Sequence, residues 1–194
     1  MNSGKYSTQT IDHMRKLLFV AGIFSIFLTS CQQKGNDQSF QAGDFDEAAE
    51  TAAIVEVIEA ETRSFFEGDY EGWASYWSHK DYAFQAWNND DGTAHAAVGW
   101  KEISAQGKNW IEKYYKNGAV TIHPEVIREK PQIVFFNGQT AYLIIKQFNA
   151  DSARTIFRIS QETRLMEKEP DGWKIVNVTA FWDTRPPVAY NSLR

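Results

Sequence analysis

The feature that most constrains this chain is a run of three extended segments near its end, residues 140–149, 155–167 and 173–183, with only short breaks between them. Each segment is rich in β-branched and aromatic residues, and the breaks carry turn chemistry: Ala150-Asp151-Ser152, then Glu169-Pro170-Asp171-Gly172. An Asp-Gly pair just ahead of a strand is a strong hairpin signal, so the three segments are predicted to form an antiparallel meander.

Side chains alternate across a strand, which sorts each segment into two faces. In the middle strand Arg158, Ser160, Glu162 and Arg164 share a face, opposite Phe157, Ile159, Thr163 and Leu165. In the last strand Val176, Val178, Ala180 and Trp182 share a face, opposite Ile175, Asn177, Thr179 and Phe181. Apolar residues fall on both faces, so the sheet is expected to be covered on both. Glu162 and Arg164 are charged groups on a central strand, and a buried charge survives only if it is paired or used.

The start of the chain reads differently. Lys5, Arg15 and Lys16 precede an apolar run at 17–28, long enough for a signal-peptide core and shorter than the roughly twenty residues that span a bilayer. Leu28-Thr29-Ser30-Cys31 then resembles the lipobox of bacterial lipoproteins, which implies cleavage after residue 30 and lipidation of Cys31. A buried core cysteine is the plainer alternative. Met14, followed by Arg15-Lys16, is a second plausible start. Residues 31–46, with the polar stretch 32–46, read as a solvated tether, 47–185 as one domain and 186–194 as a C-terminal tail.

Removing residues 1–30, with three bases and one acid, from 20 Lys and Arg and 25 Asp and Glu leaves a net charge of −7. With no basic cluster, an acidic chain of this kind is a poor nucleic-acid binder. Cys31 is the sole cysteine, so no disulfide can form within the chain.

Between tether and meander, a first helix is predicted at 46–67, with Asp46 as N-cap, Gly68 as stop and Ile54, Val57, Ile58, Phe65 and Phe66 as its apolar stripe. A short second helix after Asp69 presents Trp73, Tyr76 and Trp77. A hairpin follows, 82–88 and 94–98, around Asn89-Asp90-Asp91-Gly92. After Gly99 a third helix places Trp100, Ile103, Trp110, Ile111 and Tyr114 on one side, and extended runs at 120–127 and 132–136 lead through Asn137-Gly138 into the meander. Helices ahead of a long antiparallel meander indicate an α+β layer with the helices on one face of the sheet.

This order resembles the nuclear transport factor 2-like superfamily, which includes SnoaL-like cyclases, ketosteroid isomerase and scytalone dehydratase. The local matches are Gly99-Trp100-Lys101-Glu102-Ile103, Asn137-Gly138-Gln139-Thr140-Ala141-Tyr142, and Glu162-Thr163-Arg164 followed by Asp171-Gly172-Trp173-Lys174-Ile175-Val176. The pattern is most similar to the association domain of calcium/calmodulin-dependent kinase II, across roughly residues 50–183. The resemblance implies a cone-shaped, curved antiparallel sheet with three N-terminal helices on its concave face, a conical pocket between them, Arg164 and Glu162 pointing into the cone, and a convex face used for dimerisation. Departures bear on the ligand. Ile144 and Ala180 stand where the association domain has arginines, and Asn177 and Thr179 where it has histidines, so a clamp of several arginines on an anion is not implied. The acid, tyrosine and histidine sets of ketosteroid isomerase and scytalone dehydratase have no counterpart at matching positions.

Candidate site residues follow. Glu162 beside Arg164 suits the orientation of a polar ligand or a general base, and equally a structural ion pair. Tyr142 and Trp182 are expected on one face, with Trp87 and Trp110 closing the mouth, an aromatic wall that is also ordinary core chemistry. His95, near Asp90 and Asp91, is a candidate acid or base, or a solvated hairpin residue. His79, His95 and His123 lack metal-ligand spacing, and no cofactor motif such as a Walker loop, Gly-x-Ser-x-Gly or Gly-x-Gly-x-x-Gly is present. The expectation is therefore an envelope-anchored lipoprotein, homodimeric through its sheet, that binds a small organic molecule. The alternatives are a lyase or isomerase acting through Glu162 or His95, and an assembly module without a ligand.

Overall fold

The structure, a computed structural model, describes residues 45–117 and 123–193. The signal segment, Cys31 and the tether up to residue 44 lie outside the described residues, as does the start of the run expected at 120–127.

Helix α1 (Glu47–Glu67) begins and ends where its caps dictate. The Asp46 carboxylate accepts hydrogen bonds from the Ala48 and Ala49 backbone N–H groups, each 3.0 Å, satisfying two of the donors that a helix start leaves unpaired. Ile54 and Ile58 face inward and are fully buried. Helix α2 (Tyr70–Ser75) starts from Asp69 and buries Trp73. After the hairpin of β1 (Phe84–Asn88) and β2 (Ala94–Val98), helix α3 (Trp100–Trp110) widens into a π-helical turn, Ile111–Lys116. Ile103 and Ile111 are buried, whereas Trp110 is 44% exposed, so the apolar side expected of this helix reaches past the core to a rim.

The remaining strands are β3 (Val126–Arg128), β4 (Gln132–Phe136), β5 (Thr140–Ala150), β6 (Ile156–Glu169), β7 (Gly172–Trp182) and β8 (Val188–Ala189). They form one curved, unclosed sheet in the order β2-β1-β7-β6-β5-β3, with β4 also paired to β5 and β8 to β6. The expected meander is β5-β6-β7, antiparallel throughout. Asn137 and Gly138 carry φ of 51° and 63°, the positive pair that a two-residue hairpin turn with the right twist needs. One pairing is parallel: β1 lies along β7, with Trp87 opposite Ala180. The sheet is thus mixed at the edge where the hairpin joins the meander.

Two expectations are corrected here. Ile175, expected on one face with Phe181, is fully buried in the helix-facing core, whereas Phe181 is 57% exposed. The cause is a bulge: Leu165 pairs with Asn177 but Met166 pairs with Ile175, so Val176 is an extra residue and the alternation of β7 changes parity there. Of residues 186–194, expected to be a tail, 188–193 continue the fold. Val188 and Ala189 pair with Phe157 and Ile156, and Tyr190 stacks at 4.9 Å on Phe157, a large apolar ring that is fully buried.

A polar tie holds α1 to the far end of the meander. Glu50 accepts from Lys168 Nζ at 2.6 Å and Trp173 Nε1 at 2.7 Å. The Lys168 hydrogen bond, helped by Trp173, holds the Glu50 carboxyl below its ordinary value of 4.5. A lowered folded-state value stabilises fully above the ordinary value and fades as pH falls through the lowered one. Glu50→Gln should therefore lose about 1 kcal/mol at neutral pH, after allowance for solvent screening. Thermal melts at pH 7 and pH 3 check this: the gap between E50Q and the unmodified chain narrows in acid, and a gap that widens contradicts the assignment.

Candidate functional site

The inner face of β6 carries Ser160, Glu162 and Arg164, and the register with β5 sets Ile145 opposite Glu162 and Leu143 opposite Arg164. Glu162 and Arg164 are 5% and 4% exposed, at the floor of a cavity of about 450 Å³ between sheet and helices. Their burial is made tolerable by a network drawn from five elements. Arg164 donates from Nε and Nη2 to Glu162 Oε2, at 3.0 and 2.8 Å. Gln147, on β5, donates from Nε2 to Glu162 Oε1 at 2.5 Å and accepts from Arg128 Nε, on β3, at 3.0 Å. Arg128 in turn donates to Glu59 and Thr62 of α1, at 2.8 and 2.7 Å. From the same helix Glu61 brings Oε2 to 3.8 Å from Arg164 Nη1, while its Oε1 accepts from Trp73 Nε1, on α2, at 2.8 Å.

The electrostatics follow from that wiring. Burial works to lower the Arg164 pKa, but the Glu162 and Glu61 carboxylates outweigh it and raise it further, so the guanidinium keeps its charge. Both Glu162 oxygens are engaged. Among the described residues two buried side-chain polar atoms have no hydrogen-bond partner, Arg164 Nη1 and Trp77 Nε1, and both residues line this cavity.

The walls are aromatic. Trp73 and Trp77 sit 5.8 Å apart, and Phe65, 6.2 Å from Trp73, makes mutual edge contacts of 5.3 to 5.7 Å with Phe66 and Tyr115. Burial, with Tyr114 adding to it, pushes the Tyr115 hydroxyl up to about 12, so it stays a neutral phenol. Tyr115 belongs to the π-helical turn, a feature that often marks a working surface.

Of the residues singled out from sequence, Glu162, Arg164, Trp87, Trp110 and Trp182 all line the cavity. Tyr142 does not. Its neighbours Ala141 and Leu143 are buried inward, so alternation turns Tyr142 to the outer face, where it is 37% exposed. Its pairing with Leu165 confirms the side, and correcting the expectation required the β5–β6 register. His95 is not among the lining residues either: it stacks on the back of Trp87 at 4.3 Å, with Nε2 2.8 Å from Gln106 Oε1. Gln147, Arg128 and Glu61 were missed. Glu61 had a signal, since it stands three residues after Ile58 and seven after Ile54, a carboxylate on the buried stripe. Gln147 had one as well, in alternation with Leu143 and Ile145. Arg128 had none. Among the described residues no group of three or more His, Cys, Asp or Glu side chains is placed to hold a metal ion.

No family model and no curated relative matches the chain. Solved structures do. A nuclear transport factor 2-like protein of unknown function from Shewanella oneidensis MR-1 matches with a TM-score of 0.51 at 16% identity, covering 68% of this chain and 98% of that one. Another from Pseudomonas putida KT2440 matches with a TM-score of 0.55 at 12% identity, covering 74% and 96%. A cystatin-like fold protein from Burkholderia xenovorans LB400 matches with a TM-score of 0.51 at 16% identity, covering 72% and 96%. At such identities the likeness speaks to architecture, and the architecture is the nuclear transport factor 2-like fold.

Proposed function

We propose that this domain binds a small, largely apolar organic molecule in the cavity between its sheet and its helices, and that the chain is held at the bacterial envelope by lipid on Cys31. The observation that carries the binding reading is a cavity of about 450 Å³ with aromatic walls and a polar network at its floor. Sites for small molecules combine an apolar lining with a few fixed polar groups in this way, and interiors are otherwise close-packed. Trp87, Trp110 and Trp182 line the space rather than plug it, which favours a binder over an assembly module with no ligand. Proton-transfer chemistry is the weaker reading, because both Glu162 oxygens are held and His95 is not among the lining residues.

A thermal-shift screen of the full chain against a metabolite library tests the site. A ligand at a hundred times its Kd adds about 2.7 kcal/mol to stability. That gain should vanish in Ala86→Trp, which fills the cavity from β1; a hit that stabilises this variant equally binds elsewhere and sinks the reading.

Two further parts of the proposal stand on the surface and the leader. Val134, Phe136 and Phe181 are 50 to 57% exposed on the outer sheet face, and a second copy covering them accounts for that apolar area. A monomeric mass at micromolar concentration removes the dimer. Cys31→Ser should move the chain from the membrane fraction to the soluble one, and retention of the variant on membranes removes the anchor.

A further inference from the structure

Resting on that binding reading, we infer that Gln85 and Gln106 are the polar recognition residues of the cavity, and that its occupant is a planar aromatic heterocycle whose edge sets an N–H donor beside a carbonyl acceptor, as in a lactam. Other polar side chains around the cavity are already engaged: Gln147, Asn149, Glu162 and Arg128 bond one another or Ser160. Gln85 and Gln106 line the same cavity and are half-buried. Register places Gln85 on the inner face of β1, opposite Ala97 of β2 and Val178 of β7, both core residues. Gln106, on α3, uses only its Oε1, 2.8 Å from His95 Nε2. An amide oxygen accepts, so the imidazole donates and the Gln106 NH2 group is left over. Among the described residues neither the Gln85 amide nor Gln106 Nε2 has a hydrogen-bond partner, yet neither is among the buried unpartnered atoms, so both stay open to a small molecule.

The two amides stand around one aromatic ring. Trp87 lies two residues from Gln85 on the same face of β1, pairs with His95 and carries that imidazole stacked on its ring at 4.3 Å. His95 in turn holds Gln106. Trp87 lines the cavity, so it offers a planar ligand a stacking surface beside both amides. The chemistry of the ligand edge follows from Gln85. Its amide presents an acceptor and a donor side by side, and a group that satisfies both at once presents a donor and an acceptor in return. A carboxylate brings acceptors alone and an ammonium donors alone, so either leaves half of that amide unpaired once water is displaced. Gln106 adds a second donor for the ligand carbonyl, which has two lone pairs.

Titration calorimetry on the full chain at pH 7 tests this with three bicyclic probes: 4-methyl-2-quinolone, its isomer 1-methyl-2-quinolone, in which the methyl group replaces the N–H hydrogen, and 2-naphthoate. The 4-methyl isomer is expected to bind about ten-fold tighter than each of the other two. Gln85→Met, which keeps the length of the side chain and drops the amide, should bring the two isomers to within about two-fold of each other. Gln106→Met should weaken both isomers by about five-fold and keep their ratio. Isomers of equal affinity on the unmodified chain, a ratio that survives Q85M, affinities that Q106M leaves unchanged, or a preference for naphthoate each overturn the inference and leave the binding reading standing. If no probe binds while the metabolite screen yields a ligand that Ala86→Trp excludes, the inference falls alone; if the screen is empty too, both fall.

Discussion

Replacing Arg164 with Met should cost about 3–5 kcal/mol of folding stability, because it leaves buried carboxylates without their cation. Glu162 and Glu61 are 5% and 9% exposed, and with the guanidinium gone neither has another positive group within its hydrogen bonds. For a domain of this length the loss corresponds to a fall of about 10 °C in melting temperature. Adding Glu162→Gln to the same chain removes one stranded charge and keeps an amide that can still meet Gln147, so the double variant should recover much of the loss. Denaturant melts of the two variants decide the matter. An R164M chain that melts within about 2 °C of the unmodified one would mean that the pair is not neutralised as the geometry indicates.

The second large effect reverses a usual rule. In a helix interior Gly→Ala ordinarily stabilises by about 0.5–1 kcal/mol. Gly107 lies inside α3, yet a Cβ there would come within 2.2 Å of Trp73 Cη2 and 2.4 Å of Cζ3. Trp73 cannot give way cheaply: it is 1% exposed, tied through Nε1 to Glu61, stacked against Trp100 at 5.8 Å and packed on Trp77. Overpacking of that kind costs about 1–3 kcal/mol and outweighs the propensity gain. Gly107→Ala should therefore destabilise. Both Gly107 and Trp73 line the cavity, so ligand affinity should fall with it. A G107A chain of higher melting temperature would show that the ring has somewhere else to go.

Much of the architecture was legible because its signals are local. Asp46 and Gly68 delimit α1 by capping, Asn137-Gly138 sets a turn by its φ values, and the β-branched runs between turn residues mark the meander. Glu162 and Arg164 sit two apart on one strand, so their common face follows from alternation alone, while its inward direction was an implication of the family resemblance that the burial of both residues bears out. The aromatic wall was legible only as a group. Trp87, Trp110 and Trp182 line the cavity, while Trp100 stacks on His79 at 4.0 Å outside it, a distinction no spacing rule contains.

What the amino-acid order determined, then, is the type and order of the helices and long strands between 47 and 182, and which side chains share a face of a strand that has no bulge, since each depends on residues within a few positions of one another. Only the tertiary structure decided the side that Tyr142 takes, the change of parity at Val176, the docking of residues 188–193 onto Phe157, and the meeting of Arg128, Gln147 and Glu61 at Glu162 and Arg164. Register, bulge and a network spanning three strands and two helices are settled by pairing between distant segments and by how the core fills. The energy of those pairings belongs to both partners together, and neither partner's local sequence carries it.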